Sequence, residues 1–178
     1  SLETFLGVVR DLALSFAKAG FKRIVFLNGH YDNTYALAYG CAQVAEQLPA
    51  GAKAFPFNYW DGVTPEQGGA MTDGGKDMHA GGCETSMLLA ITPELVDMAR
   101  ANTEFLNFPD TVTKSPALHT AFFFSAPGSV WRATKSGTWG DATKATAAKG
   151  EQFIEWNVAS VINLMSDIEK TFAQLNVR

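Results

Sequence analysis

Arg23-Ile24-Val25-Phe26-Leu27-Asn28-Gly29-His30 decides how this chain is read. Five residues of mostly apolar, partly β-branched character run straight into a polar loop, the pattern of a strand buried on both faces that ends abruptly. Upstream, Leu2, Phe5, Val9, Leu12 and Phe16 recur at spacings of three and four, which predicts an amphipathic helix, with Gly20 as its stop. Downstream, the pattern turns helical from Asn33 to about Leu48, with Asn33 placed to cap and Pro49 and Gly51 beyond the end. Helix, strand, loop and helix in that order predict an α/β fold. In open α/β sheets ligands bind outside the carboxyl ends of strands, where the loop carrying His30 and Asp32 falls.

Further along, Lys53 to Trp60 reads as a second strand, in which Pro56 suits an edge or a bulge. Residues 61–82 are rich in Gly, Asp and Thr without periodicity, and are expected to form a long loop of the kind that serves a site. A helix is expected from Glu84 to Ala90, stopped by Thr92-Pro93, and a last one from about Thr143 to Leu175 with Phe153, Trp156, Val161, Leu164 and Ile168 along its buried side. Between them, 101–136 carries Phe105, Phe108, Phe122, Phe123, Phe124 and Trp131 and reads as irregular, aromatic-rich structure or an extended arm. Phe105 to Trp131 is the candidate for an interface between subunits.

Composition narrows the function. The chain has 178 residues, 47% hydrophobic and 18% charged, enough for one domain with a substantial core. A formal net charge of −4 and no Lys/Arg-rich run argue against nucleic acid or an anionic membrane surface as partner. No apolar stretch approaches the roughly 20 residues of a membrane helix. Two cysteines, Cys41 and Cys83, make no disulfide framework, which fits a reducing cytoplasm; Cys41 reads as core filling.

The chemistry rests on few residues. His30 and Asp32, at positions i and i+2, can point to one side of an extended or looping backbone and converge on one divalent metal such as Zn or Mn, or on two adjacent ones; the alternative is that His30 caps the following helix or bonds a neighbouring carbonyl. His79 has the near-neutral titration of a general acid/base, against the alternative of a surface-loop histidine. Gly81-Gly82 beside it allows close approach of backbone to a ligand. Glu84 stands where a helix begins, so plain N-terminal stabilisation competes with metal binding. Tyr31, Tyr59 and Trp60 could wall a pocket for a flat substrate or simply fill the core. His119, without an acidic neighbour, reads as structural.

Together, Asn28-Gly29-His30-Tyr31-Asp32-Asn33, His79-Ala80-Gly81-Gly82-Cys83-Glu84-Thr85-Ser86 and the segment from Gly137-Thr138-Trp139-Gly140-Asp141 to Lys149-Gly150-Glu151 resemble the creatininase (creatinine amidohydrolase) family, in matching order over essentially the whole chain. The resemblance implies a three-layer α/β/α sandwich with a mostly parallel sheet, as a single domain over 1–178 lacking its N-terminal segment. It implies a metal-dependent amidohydrolase that cleaves a C–N bond of a small, creatinine-like cyclic amide with metal-activated water. His30 and Asp32 are then metal ligands to two divalent cations, Zn and/or Mn. His79 and Glu84 are catalytic, and Tyr31, Trp60 and Asp77 contact substrate. Gly75-Lys76-Asp77-Met78 departs from creatininase proper, which has a Trp there, so the implied substrate is the broader class. The family's Glu-x-His segment and a further Asp, which complete its ligand set, are expected in an upstream segment of the same or a separate chain. A homo-oligomer is implied, with a hexamer as one form. Two other readings are a metal-dependent hydrolase or lyase on a carbohydrate-like ring, with Lys76 and Asp77 contacting hydroxyls, and a non-catalytic small-molecule binding module.

Overall fold

A computed structural model describes residues 1–106, 111, 114–115, 117–118, 121 and 134–175. The interface expected from Phe105 to Trp131 falls almost wholly outside the described residues, as does His119. Two compact units are distinguished: Ser1–Gly62 with Asn157–Arg178, and Val63–Trp156. No helix among the described residues is long and apolar enough to cross a membrane.

The first unit is built on two parallel strands, β1 (Arg23–Asn28) and β2 (Lys53–Asn58), paired in register from Arg23 with Lys53 to Asn28 with Asn58. Helix α1 (Leu2–Lys18) precedes β1, and α2 (Thr34–Val44) joins β1 to β2. Ser1 caps α1 by accepting from the Thr4 amide at 3.3 Å. The helix ends as the glycine predicts. Gly20, at φ +99°, donates to Ala17 O at 3.0 Å while Phe21 N reaches Phe16 O at 3.1 Å, and the Phe16 and Phe21 rings meet edge to face at 5.7 Å. That is a Schellman stop with its hydrophobic contact.

Side chains of Val9, Leu37 and Cys41 cluster with Phe26 and Ala54, and Ala17, Ile24 and Ala52 cluster with Leu48, so α1 and α2 cover the face bearing the even-numbered residues of β1. On the other face Phe55 meets Phe172 edge to face at 5.5 Å, and Arg23 lies over the Phe172 ring while pairing with Glu169 at 2.9 Å. Phe172 and Glu169 belong to α5 (Ala147–Leu175), whose later turns thus form a third layer. The α/β class and its layering are as the sequence indicates.

Three details differ from expectation. Along α1 the buried line is Val9, Ala13 and Ala17, while Leu12 and Phe16 are exposed. Small residues let α1 and α2 approach closely, for a Cβ on Gly40 would stand 3.1 Å from Val9 Cγ1. β1 is not buried on both faces: Leu27 is 55% exposed, because the described sheet here is only two strands wide and α5 reaches the Arg23 and Phe55 end. Asn33 does not cap α2; a 3-10 turn, Tyr31–Asn33, intervenes, and the Asn33 amide turns toward Asn28. Pro56 lies in β2, which is paired on one side only among the described residues, as its missing N–H allows.

In the second unit, residues 61–82 are not the unbroken loop expected. Helix α3 (Pro65–Met71) sits within them, started by a capping box in which Thr64 Oγ1 accepts from Gln67 N at 3.2 Å and Gln67 Oε1 from Thr64 N at 2.9 Å. Helix α4 (Gly82–Ile91) follows, and a short antiparallel pair joins β3 (Thr103–Glu104) to β4 (Gly140–Asp141). The Asp141 carboxylate accepts from Thr143 and Thr103 hydroxyls, which hold its carboxyl down at about 2.

The first turns of α5 pack tightly on α4. Fully buried Ser86 accepts from Thr146 N at 3.1 Å, just ahead of α5. A Cβ on Gly150 would fall inside contact distance of the Ser86 carbonyl. In a helix interior Gly→Ala ordinarily gains up to about 1 kcal/mol. Here Gly150→Ala is expected to reverse that sign and cost about 1–3 kcal/mol, since backbone has to move. Urea denaturation of the parent and the variant measures it, and a stabilised variant would contradict the close packing.

Candidate functional site

In the first unit the polar residues gather at the carboxyl ends of β1 and β2, as expected of an open α/β sheet. His30 leaves β1 in extended conformation, φ −143° and ψ 127°, and a 3-10 turn at Tyr31–Asn33 follows. That geometry swings Asp32 back toward the imidazole, with His30 Nε2 and Asp32 Oδ2 3.6 Å apart. Both side chains are more than half exposed, 56% and 53%, so they converge on open space rather than into a core. His30 makes no capping bond to the turn, which removes the capping alternative.

Tyr31 beside them is 41% exposed. Partial burial, then the Tyr35 hydroxyl, push its phenol above its ordinary value, so it stays protonated at neutral pH. Trp60 follows β2 and meets the Tyr59 ring edge to face at 4.7 Å. Asn28, 5% exposed, and Asn58 stand under this loop, and their amides are bonded at 2.7 Å. Sequence reading had not singled out Asn58; the available signal was an amide at the last position of both strands.

In the second unit His79 is held by its backbone. His79 N donates to Trp139 O at 3.0 Å, and Trp139 N to His79 O at 2.7 Å, an isolated antiparallel bridge that ties the His79 loop to the Gly137–Asp141 segment. Ala80 takes a left-handed φ of +50°. Its amide donates to Glu84 Oε2 at 2.6 Å, and the same oxygen lies 3.9 Å from His79 Nδ1. Glu84 therefore does reach back over the start of α4, the structural part expected of it, and also faces the imidazole.

Asp77 is 7% exposed and accepts from Cys83 N at 3.1 Å at the start of α4. A side chain at Gly81 or Gly140 would collide with its carboxylate, so both glycines are required by close approach. Burial pushes the Asp77 carboxyl up, against the amides of Cys83 and Gly82, which favour the charged form. Asp77 borders a cavity of about 80 Å³ shared with Lys144, Lys149 and Phe153. Burial raises the Cys83 thiol to about 12 and Cys41 to about 11, so neither is a thiolate at neutral pH.

The structure thus pairs His30 with Asp32 and His79 with Glu84. Among the described residues, no three His, Cys, Asp or Glu side chains converge as a metal cluster. One imidazole nitrogen and one carboxylate oxygen, exposed and facing each other, fit part of a ligand set for Zn or Mn, since a catalytic zinc ordinarily takes three protein ligands.

Comparison with known proteins points one way. The family model described as Creatininase: Creatinine amidohydrolase matches residues 1–165. Creatinine amidohydrolase of Pseudomonas putida is 29% identical over 178 residues, covering 92% of this chain and 62% of its own length. Among solved structures, creatininase Mn has a TM-score of 0.76 at 26% identity, over 94% of this chain and 64% of that one. A mutant creatininase of Zn-Zn type has a TM-score of 0.75 at 25% identity, over 94% and 64%. The chain therefore spans a little under two thirds of the length of these relatives.

Proposed function

Since the chain belongs to the creatininase family, we propose that it is part of a metal-dependent amidohydrolase that hydrolyses a C–N bond in a small, creatinine-like cyclic amide. The observation that carries the reading is the convergence of His30 Nε2 and Asp32 Oδ2 to 3.6 Å at the carboxyl end of β1, an open donor pair in a family with manganese and zinc relatives.

His30 and Asp32 would hold divalent metal, with the remaining ligands supplied elsewhere in the assembled protein. Metal bound there supplies Lewis-acid polarisation of a carbonyl and a water acidic enough to act near neutral pH. The other steps belong to this chain's own side chains. His79, in the second unit, is assigned the uptake and return of a proton during hydrolysis. Its Nδ1 faces Glu84 Oε2 at 3.9 Å, so Nε2 is the nitrogen assigned to proton exchange. Glu84, already fixed by the Ala80 amide at 2.6 Å, faces the ring and is assigned to orient it. Tyr31 and Trp60 offer a flat apolar wall with a protonated phenol. Asp77, expected to contact substrate, is instead assigned to support the start of α4, since it is 7% exposed and accepts from the Cys83 amide. A homo-oligomeric assembly belongs to the same proposal.

Elemental analysis of the purified full-length protein, paired with hydrolysis assays on a panel of cyclic amides and carbohydrate-like rings, tests this. Stoichiometric Zn or Mn with activity on cyclic amides is expected. Full activity after exhaustive chelation would sink the metal reading, and turnover confined to carbohydrate rings would replace the substrate class.

A further inference from the structure

The residues beneath His30 form a connected polar network. At the ends of two parallel strands, Asn28 and Asn58 are register partners. Asn28 Nδ2 donates to Asn58 Oδ1 and to His30 O, both at 2.7 Å, so its two protons are committed. Asn28 Oδ1 in turn accepts from His30 N at 3.1 Å and from Asn33 Nδ2 at 3.4 Å. One side chain therefore grips both the N–H and the C=O of His30. Asn58 Oδ1 also accepts from Thr34 Oγ1 at 2.9 Å, at the start of α2. The orientation of the Asn58 amide is itself set: Nδ2 donates to Asp61 Oδ1 at 3.1 Å, and the Asn58 backbone N–H to Asp61 Oδ2 at 2.8 Å.

We infer that Asn58 is a positioning residue for the His30–Asp32 pair, acting through Asn28, with Asp61 fixing which way its amide points. The inference rests on the metal reading above for its consequence, but its mechanism is the local geometry. Asn28 is buried, so its amide must find partners, and Asn58 Oδ1 at 2.7 Å is the nearer of the two acceptors outside the His30 loop, Thr34 Oγ1 standing at 3.4 Å. Without it, that Asn28 proton keeps only the longer contact to Thr34 Oγ1, and the rotamer that grips His30 loses its best support. The turn at Tyr31–Asn33 then no longer returns the Asp32 carboxylate to the imidazole. Groups that orient a ligand from behind typically govern metal affinity about 10–100-fold.

The test uses the full-length protein with three variants and two readouts: hydrogen exchange at the His30 amide in metal-free protein, and Zn and Mn affinity by titration. Asn58→Ala is expected to speed His30 exchange and weaken metal binding about 10–100-fold. The double variant Asn58→Asp with Asp61→Asn keeps an acceptor toward Asn28 and a donor across to position 58, and should restore both values. Thr34→Val, which removes the hydroxyl that donates to Asn58 Oδ1 and stands 3.4 Å from Asn28 Nδ2, should shift both in the same direction by less, and serves if Asn58→Ala does not fold. A lower melting temperature with unchanged affinity would show a purely structural network and overturn the inference, as would unchanged exchange at His30. A parent that binds no metal, with exchange at His30 still responding to Asn58→Ala, would overturn the metal reading and uphold the positioning link.

Discussion

His30→Ala is expected to strip most of the metal from the full-length protein and to take activity down with it, while the fold persists. The side chain is 56% exposed and takes no part in either hydrophobic cluster of the first unit, so its removal leaves no cavity in the core. It does remove the only nitrogen of the converging pair. Asp32 then faces the site without the imidazole 3.6 Å away, and a ligand set short of one donor holds Zn or Mn less well. The loss should exceed the roughly 10–100-fold that follows from removing a supporting partner. Metal per chain after gel filtration, read beside the circular dichroism spectrum, measures it. A folded His30→Ala protein with parental metal content would remove His30 from the ligand set.

What could be read from the sequence follows a physical line. The α/β unit was legible because helix and strand periods differ, and β1 stops at a polar loop just where such sheets place their sites. The pairing of His30 with Asp32 was legible from their spacing on a looping backbone, but the turn at Tyr31–Asn33 that brings Asp32 back to the extended His30 was not. The buried stripe of α1 was not, because the reading followed bulk. Val9 faces the core at its close approach to Gly40, and Ala17 packs against Ile24 and Ala52, while the bulkier Leu12 and Phe16 stay exposed. Helix α3 was overlooked for a different reason: its seven residues are too short to show a period, and its evidence lay in Thr64-Pro65 and Gln67 as a capping box. Asn58 carried only a faint signal, an amide ending each strand, because its bond to Asn28 spans thirty residues and exists only through parallel pairing in one register. The approach of Asp77 to Gly81 and Gly140 is likewise a fact of three-dimensional packing that spacing does not encode.

His79→Ala should lower turnover by about 10²–10⁴-fold, the range a positioned general acid/base contributes, with metal content nearly unchanged. Three features favour proton transfer over ligation. The His79 backbone is clamped in both directions to Trp139, which fixes where the ring starts, and Ala80 is held in a left-handed conformation by the Glu84 carboxylate. Glu84 Oε2 stands 3.9 Å off Nδ1, beyond hydrogen-bond distance but facing the ring with its negative charge. His79 is half-buried, 33% exposed at the side chain, so that charge is felt more strongly than on an open surface. Glu84→Gln should accordingly lower turnover as well, but by less, because it keeps an oxygen for the Ala80 amide and loses only the negative charge beside the imidazole. Turnover and bound metal measured side by side for His79→Ala and His30→Ala decide between roles. If His79→Ala sheds metal as His30→Ala does, His79 is a ligand, and the proton has to be carried by another group.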